Sequence, residues 1–343
     1  MIDVDAAAAL PELAELDRLA DLLEPRARIR VLERVLHDGV AYPIVGISIG
    51  PDDPTLPVLA IVGGVHGLER IGTEVALAYL HTLAERLSWD ELLISALSSV
   101  RIVMIPLVNP VGMKLGRRSN GRGVDLMRNA PPIPGARGAL LLGGQRISRS
   151  LPWFMGDGTM EPEARALCRF IEREVLQSRA AIAIDCHSGF GLVDRLWFPY
   201  AHSRRPFPGL AGVVGLYKLL ERTFPHHVYR LEPQAQAYTI VGDVWDHLYE
   251  RHRARTDAGF FLPLTLEMGS WNWVRKNPAQ ITNALGSFNP MVPHRKDRTL
   301  RRHIPLFDFL LSAVASHERW NGGTEGARRM LEDEGFLRWY ARS

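Results

Sequence analysis

The chain has 343 residues, 46% of them hydrophobic and 23% charged. That balance is ordinary for a globular protein and excludes wholesale disorder, a collagen-like repeat and a long coiled coil. With 41 basic against 38 acidic residues the formal net charge is +3, too small an excess to point to nucleic acid.

Residues 6–24 carry a helical apolar period, with Pro11 marking a start or a break. Residues 29–50 alternate apolar and polar around Asp38-Gly39, which predicts a hairpin. Residues 59–64 (LAIVGG) are a short, wholly apolar run, the signature of a strand buried on both faces. An amphipathic helix is expected over 69–86, and a second buried strand over 101–108. Pro162 sits in the first turn of a predicted helix at 161–176. Further strands are read at 180–186, 195–200 and 260–267, with helices at 209–222, 242–252 and 304–319. Strand–helix alternation through the centre argues for a mixed or parallel sheet covered on both faces. Residues 1–50 read as a helix and hairpin appended to the same domain, and 51–343 as its main part. Two cysteines, Cys168 and Cys186, make neither a disulfide framework nor a multi-cysteine metal cluster. The N-terminal segment has acids where a signal peptide needs bases, and no apolar run reaches the ~18–20 residues of a membrane span. A soluble cytoplasmic protein is expected, with no membrane or nucleic-acid partner.

Ligands of open α/β sheets bind beyond the carboxyl ends of the strands. Three predicted strand ends present His66 and Glu69, then His187, then Glu267. The i, i+3 spacing of His66 and Glu69 lets both face one ion, and a short pair with a distant third ligand suits a catalytic zinc site. Each residue alone has a bland alternative, as a helix cap or a hydrogen-bonded structural group. Their joint placement at one sheet edge favours chemistry. Residues 109–129 form a loop with Arg117, Arg118, Arg122 and Arg128. Such a run is either a solvated basic loop or an anion clamp at the mouth of a site.

The ordered set of motifs resembles the zinc carboxypeptidases, the carboxypeptidase A-like metallopeptidases. It comprises His66-Gly67-Leu68-Glu69, Asn109-Pro110-Val111-Gly112, Arg118-Ser119-Asn120, Gly123-Val124-Asp125-Leu126-Met127-Arg128-Asn129, Asp185-Cys186-His187-Ser188, Tyr238 with Gly242 and Asp246, and Glu267-Met268-Gly269. The resemblance implies a three-layer α/β/α fold with a mixed, mainly parallel sheet of about eight strands. It implies one Zn2+ per chain held by His66, Glu69 and His187, with Glu267 as general base and Arg118 stabilising the oxyanion. Arg128 would grip the substrate's terminal carboxylate, Asn129 would be a further substrate-binding residue, Tyr238 would close over the substrate, and Trp245 would line the side-chain pocket. Asp185 could orient the site or point into the opposite layer.

The chain departs from the family on the substrate side. Met127 replaces an asparagine that shares the grip on the terminal carboxylate, Val111 replaces an aspartate, and Trp245 crowds the side-chain pocket. Gly189-Phe190 follows His187-Ser188 where digestive members carry another aromatic residue. The expected activity is hydrolysis of a peptide or amide bond on a peptide or N-acyl amino acid substrate. A deacylase resembling aspartoacylase and succinylglutamate desuccinylase is the enzymatic alternative, and a catalytically silent binding module the other. The basic stretch 289–303 reads as a solvated or partner-facing loop.

Overall fold

The computed structural model describes residues 2–189 and 191–341, so Phe190 lies outside the described residues. Two short helices open the chain, α1 (Val4–Ala9) and α2 (Pro11–Leu23), divided at the proline. The hairpin follows as β1 (Ala27–His37) and β2 (Val40–Ile49), turning at Asp38 and Gly39, both of which have positive φ. The remaining strands are β3 (Val58–Gly63), β4 (Arg101–Ile105), β5 (Ala180–Gly189), β6 (Arg195–Phe198), β7 (Arg230–Pro233) and β8 (Phe260–Gly269). Between and after them lie α3 (Arg70–Arg86), α4 (Glu91–Ala96), α5 (Pro110–Lys114), α6 (Pro162–Glu174), α7 (Leu210–Thr223), α8 (Val244–Arg253), α9 (Trp271–Lys276), α10 (Pro293–Ala315) and α11 (Glu325–Trp339).

The eight strands form one sheet in the order β1-β2-β4-β3-β5-β8-β6-β7. The four central strands β4, β3, β5 and β8 are mutually parallel; β2 pairs antiparallel with β4 and β6 antiparallel with β8, while β1 pairs antiparallel with β2 and β7 parallel with β6. The hairpin is therefore no appendage. Its second strand pairs with β4, Ile47 opposite Met104, and is buried because the sheet continues across it. Alternation along β5 separates the two helical layers. Asp185 meets Trp245 of α8, while its neighbour Cys186 lies against Gly72 of α3. The expected layered α/β architecture is the one observed.

Connections from β3 leave in opposite directions, first to β4 on one side and later to β5 on the other. That reversal opens a crevice at the carboxyl ends of β3 and β5, where α/β sheets hold ligands.

The basic stretch at 289–303 is not a loop. Residues from Pro293 onward form the first turns of α10, which the charged sequence hides because no apolar stripe begins until later. Lys296 pairs with Glu74 at 2.6 Å, Arg302 with Asp194 at 2.9 Å, and His303 is fully buried.

Arg101, at the start of β4, is 1% exposed and pairs with the Glu174 carboxylate, while its other terminal nitrogen donates to the Glu174 carbonyl at 3.0 Å. Glu174→Ala leaves a buried guanidinium without its counter-charge, and a loss of about 3 kcal/mol is expected in urea denaturation. A loss under about 1 kcal/mol would show that water reaches Arg101 and that the pair contributes little.

Candidate active site

His66 and Glu69 lie in the turn between β3 and α3, and His187 is near the end of β5. All three are 3% exposed. His66 Nδ1 is 3.0 Å from Glu69 Oε1, His187 Nδ1 is 3.0 Å from Glu69 Oε2, and the two Nδ1 atoms are 3.1 Å apart. One ligand atom from each residue falls within 4.8 Å of the others. The turn packs this tightly because Gly67 has no side chain; a Cβ there would stand 2.0 Å from the Gly112 carbonyl carbon of α5.

Each histidine turns its other nitrogen toward a buried carboxylate. His66 Nε2 lies 3.3 Å from Asp125 Oδ1, and His187 Nε2 lies 2.8 Å from Asp185 Oδ2. Carboxylates so placed favour the Nε2–H tautomer, which directs both Nδ1 lone pairs inward. Two lone pairs and a carboxylate converging in a buried space repel one another unless a proton or a metal cation lies among them. Without a metal a proton is held there, because burial, which would lower the His187 imidazole, is outweighed by Asp185 and Glu69, which raise it well above its usual value. The donor set, two imidazoles and one carboxylate, fits a zinc ion.

Asp125 joins His66 to the arginine loop. It accepts from Arg118 Nε at 3.0 Å, from a terminal nitrogen of Arg128 at 2.9 Å and from the Met127 amide at 3.1 Å. Burial alone would raise its carboxyl, but Arg128, Arg118 and His66 outweigh that and hold it well below the usual range. Burial acts the same way on Glu69 and is outweighed by His66 and His187, so Glu69 is also held well below its usual value. Arg118 bridges the two carboxylates, its other end donating to Glu69 Oε1 at 3.0 Å.

Glu267 stands on β8 directly beside His187 of β5. Burial and the nearby Glu69 carboxylate push its carboxyl up to about 8, against the opposing pull of His187, Arg118 and Arg195. Gly189 leaves it room; a Cβ there would lie 2.1 Å from Glu267 Oε1.

These groups open into one cavity of about 810 Å³. It is lined by His66, Glu69, Arg118, Arg128, His187, Tyr238 and Glu267, all expected from the sequence, and by Met127 and Trp153. The Tyr238 ring meets Trp197 edge-on at 6.2 Å. Arg128 is 2% exposed, with Nε donating to the Leu142 carbonyl at 3.0 Å.

Two expected substrate residues are not brought to the cavity. Asn129 is buried in its loop, its amide donating to the Met155 and Thr159 carbonyls and accepting from the Glu161 amide. Trp245 is buried on α8, its indole N–H donating to Asp185 Oδ2 at 2.8 Å. An amphipathic indole beside a buried carboxylate gains more from that bond than from exposure in a pocket. Other residues had no assigned role in the sequence. Asp125 lies in the Gly123–Asn129 motif, and its signal is its place between Arg118 and Arg128. Asn289 ties α3 down by accepting from the Ile71 amide at 2.9 Å and donating to the Leu68 carbonyl at 2.8 Å, a contact across 218 residues that local pattern does not carry.

The zinc carboxypeptidase family profile matches residues 38–292. The chain belongs to the zinc carboxypeptidase family. A carboxypeptidase E of Caenorhabditis elegans is 29% identical over 133 residues, covering 34% of this chain and 28% of that protein. The carboxypeptidase SOL1 of Arabidopsis thaliana is 31% identical over 95 residues, covering 27% of this chain and 19% of that protein. The matched segments thus span under a third of either relative. Among solved structures, thrombin-activatable fibrinolysis inhibitor superposes with a TM-score of 0.64 at 15% identity, covering 89% of this chain and 73% of that one. Carboxypeptidase A of Helicoverpa armigera gives 0.56 at 17% identity, covering 85% and 71%. At those identities the likeness is one of fold. No helix among the described residues is long and apolar enough to cross a membrane.

Proposed function

We propose that this chain is a zinc-dependent hydrolase of a peptide or amide bond, acting as a carboxypeptidase-type enzyme. One observation carries this: His66, Glu69 and His187 converge in a buried cluster within 4.8 Å, with Glu267 in register beside His187. His66, Glu69 and His187 would hold one Zn2+, which supplies Lewis acidity at the scissile carbonyl and makes water acidic near neutral pH. Glu267 takes a proton from the attacking water and passes it to the leaving nitrogen. Arg118, fixed by Asp125 and Glu69, presents a permanent positive charge to the developing oxyanion. Arg128 meets a carboxylate of the substrate, and Tyr238 covers the bound substrate from the cavity wall.

Met127 lines the cavity where family members carry an asparagine, so one neutral donor is missing beside Arg128. This favours a broader amidase or deacylase tolerance as the second reading. The cytoplasm is the proposed place of action, and both cysteines being buried free thiols accords with a reducing compartment. Peptides and N-acyl amino acids are the proposed substrates.

The test is product mass on N-acyl dipeptides, before and after chelation. A released free amino acid, abolished by a chelator and restored by zinc, is the expected result. Release of the acyl group as a small acid would move the assignment to the deacylase. Turnover that survives complete metal removal would overturn the metal-dependent reading.

A further inference from the structure

We propose that Arg195 and Arg230, sharing the single carboxylate of Glu232, form a cationic subsite that selects substrates whose leaving half carries an additional carboxylate. This rests on the hydrolase function proposed above.

Register places the residues in one row. His187 of β5 pairs with Glu267 of β8, Glu267 with Arg195 of β6, and Arg195 with Arg230 of β7. Residues paired in this way project from the same face of the sheet. All four line the cavity. The row therefore runs from the proposed metal ligand, through the proposed base, to two arginines at the sheet's edge. Glu267 delivers its proton to the leaving nitrogen, so the leaving half lies on its side of the scissile bond. His66 and Glu69 occupy the β3 side, which leaves β6 and β7 beneath the leaving residue.

Two arginines directly opposite each other on neighbouring strands repel, and a four-residue edge strand has no packing need for them. One residue answers that repulsion. Glu232 accepts from Arg195 Nε at 2.8 Å and from the Trp197 indole at 3.3 Å, and its other oxygen lies 2.6 Å from Arg230 Nε. Glu232 is shared between two guanidiniums, and the other carboxylate of the row, Glu267, is paired in register with Arg195, so Arg230 at the outer end is the less neutralised of the two. Both engage Glu232 through Nε. The terminal nitrogens of Arg230, whose side chain is 67% exposed, then face solvent-accessible space where a carboxylate can be gripped from two donors. The remaining lining here, Trp197, Gln234 and Gln236, brings no further acid. Recognition of a side chain falls to this wall because Trp245 is closed against Asp185. The chemistry selected is a dicarboxylic leaving residue, of the aspartate or glutamate kind.

N-acyl dipeptides ending in glutamate, glutamine or lysine test this on the zinc-loaded protein. Wild type is expected to favour glutamate over the isosteric glutamine in kcat/KM by at least about tenfold, and Arg230→Gln to bring that ratio within about twofold of one. Glu232→Gln, which removes the competing carboxylate, is expected to raise the ratio. Equal handling of glutamate and glutamine by wild type, a preference for lysine, or a glutamate preference that Arg230→Gln leaves intact would overturn the subsite. The same dipeptides are titrated calorimetrically into zinc-loaded Glu267→Gln protein with and without Arg230→Gln. If wild type turns over none of them, the hydrolase assignment fails, and the glutamate-to-glutamine binding ratio still decides the subsite.

Discussion

Glu267→Gln is expected to lower kcat by about a thousandfold while the protein keeps its metal. Glutamine has the same shape but accepts no proton near neutral pH, so both proton transfers assigned to the carboxylate are lost. The three proposed ligands are untouched, because Glu267 pairs with His187 through the strand ladder rather than through its side chain. Initial rates together with elemental analysis of the same samples check this. A variant that retains more than about a tenth of wild-type kcat would remove Glu267 from the role of base.

The same substitution has an opposite effect on the metal-free fold. In the folded chain the Glu267 carboxyl is raised from 4.5 to about 8 by burial and by Glu69. The folded state therefore holds a proton that the unfolded chain releases first. The stability this group contributes is fully present below pH 4.5 and is lost progressively as pH rises to about 8. A neutral glutamine does not titrate. Metal-free Glu267→Gln should thus melt above metal-free wild type at pH 8, with the gap closing near pH 4.5. Thermal scans across that range would contradict the assigned environment if the gap were constant with pH. Activity and metal-free stability set opposing demands on this residue, as expected of a charged group placed for chemistry.

The strands that bear the proposed site were legible because they are short, wholly apolar and end in ionisable residues. LAIVGG before His66 and AAIAID before His187 are too short for ordinary helices and read as buried strands, and the carboxyl edge of such strands is where sites form. The substrate wall was less legible. β7 has four residues and no apolar run, so nothing in its composition announced a strand carrying Arg230 and Glu232. The direction of Trp245 was not legible, because a motif position says where a residue sits along the chain, not which way its ring turns. Its direction depends on Asp185, 60 residues away. The first turns of α10 failed for a related reason. Their partners are single ion pairs to α3 and to the residue before β6, which leave no periodic trace.

His66→Ala is expected to abolish tight metal binding, and Asp125→Asn to weaken it by roughly 10–100-fold. Alanine removes one of three ligands and leaves a space that water enters, so the remaining His187 and Glu69 hold a cation only as a pair. Asparagine at 125 keeps all three ligands but replaces the carboxylate that faces His66 Nε2 at 3.3 Å. The imidazole becomes less basic and its ring less firmly oriented, which lowers affinity without deleting the site. Asp125 also offsets Arg118 and Arg128, so its neutralisation leaves two guanidiniums with less counter-charge beside an incoming cation. Both effects act in one direction. Competition against a fluorescent zinc chelator should rank wild type above Asp125→Asn and Asp125→Asn above His66→Ala. If His66→Ala holds zinc as tightly as wild type, the metal lies elsewhere, and the convergence of His66, Glu69 and His187 is a buried hydrogen-bond cluster.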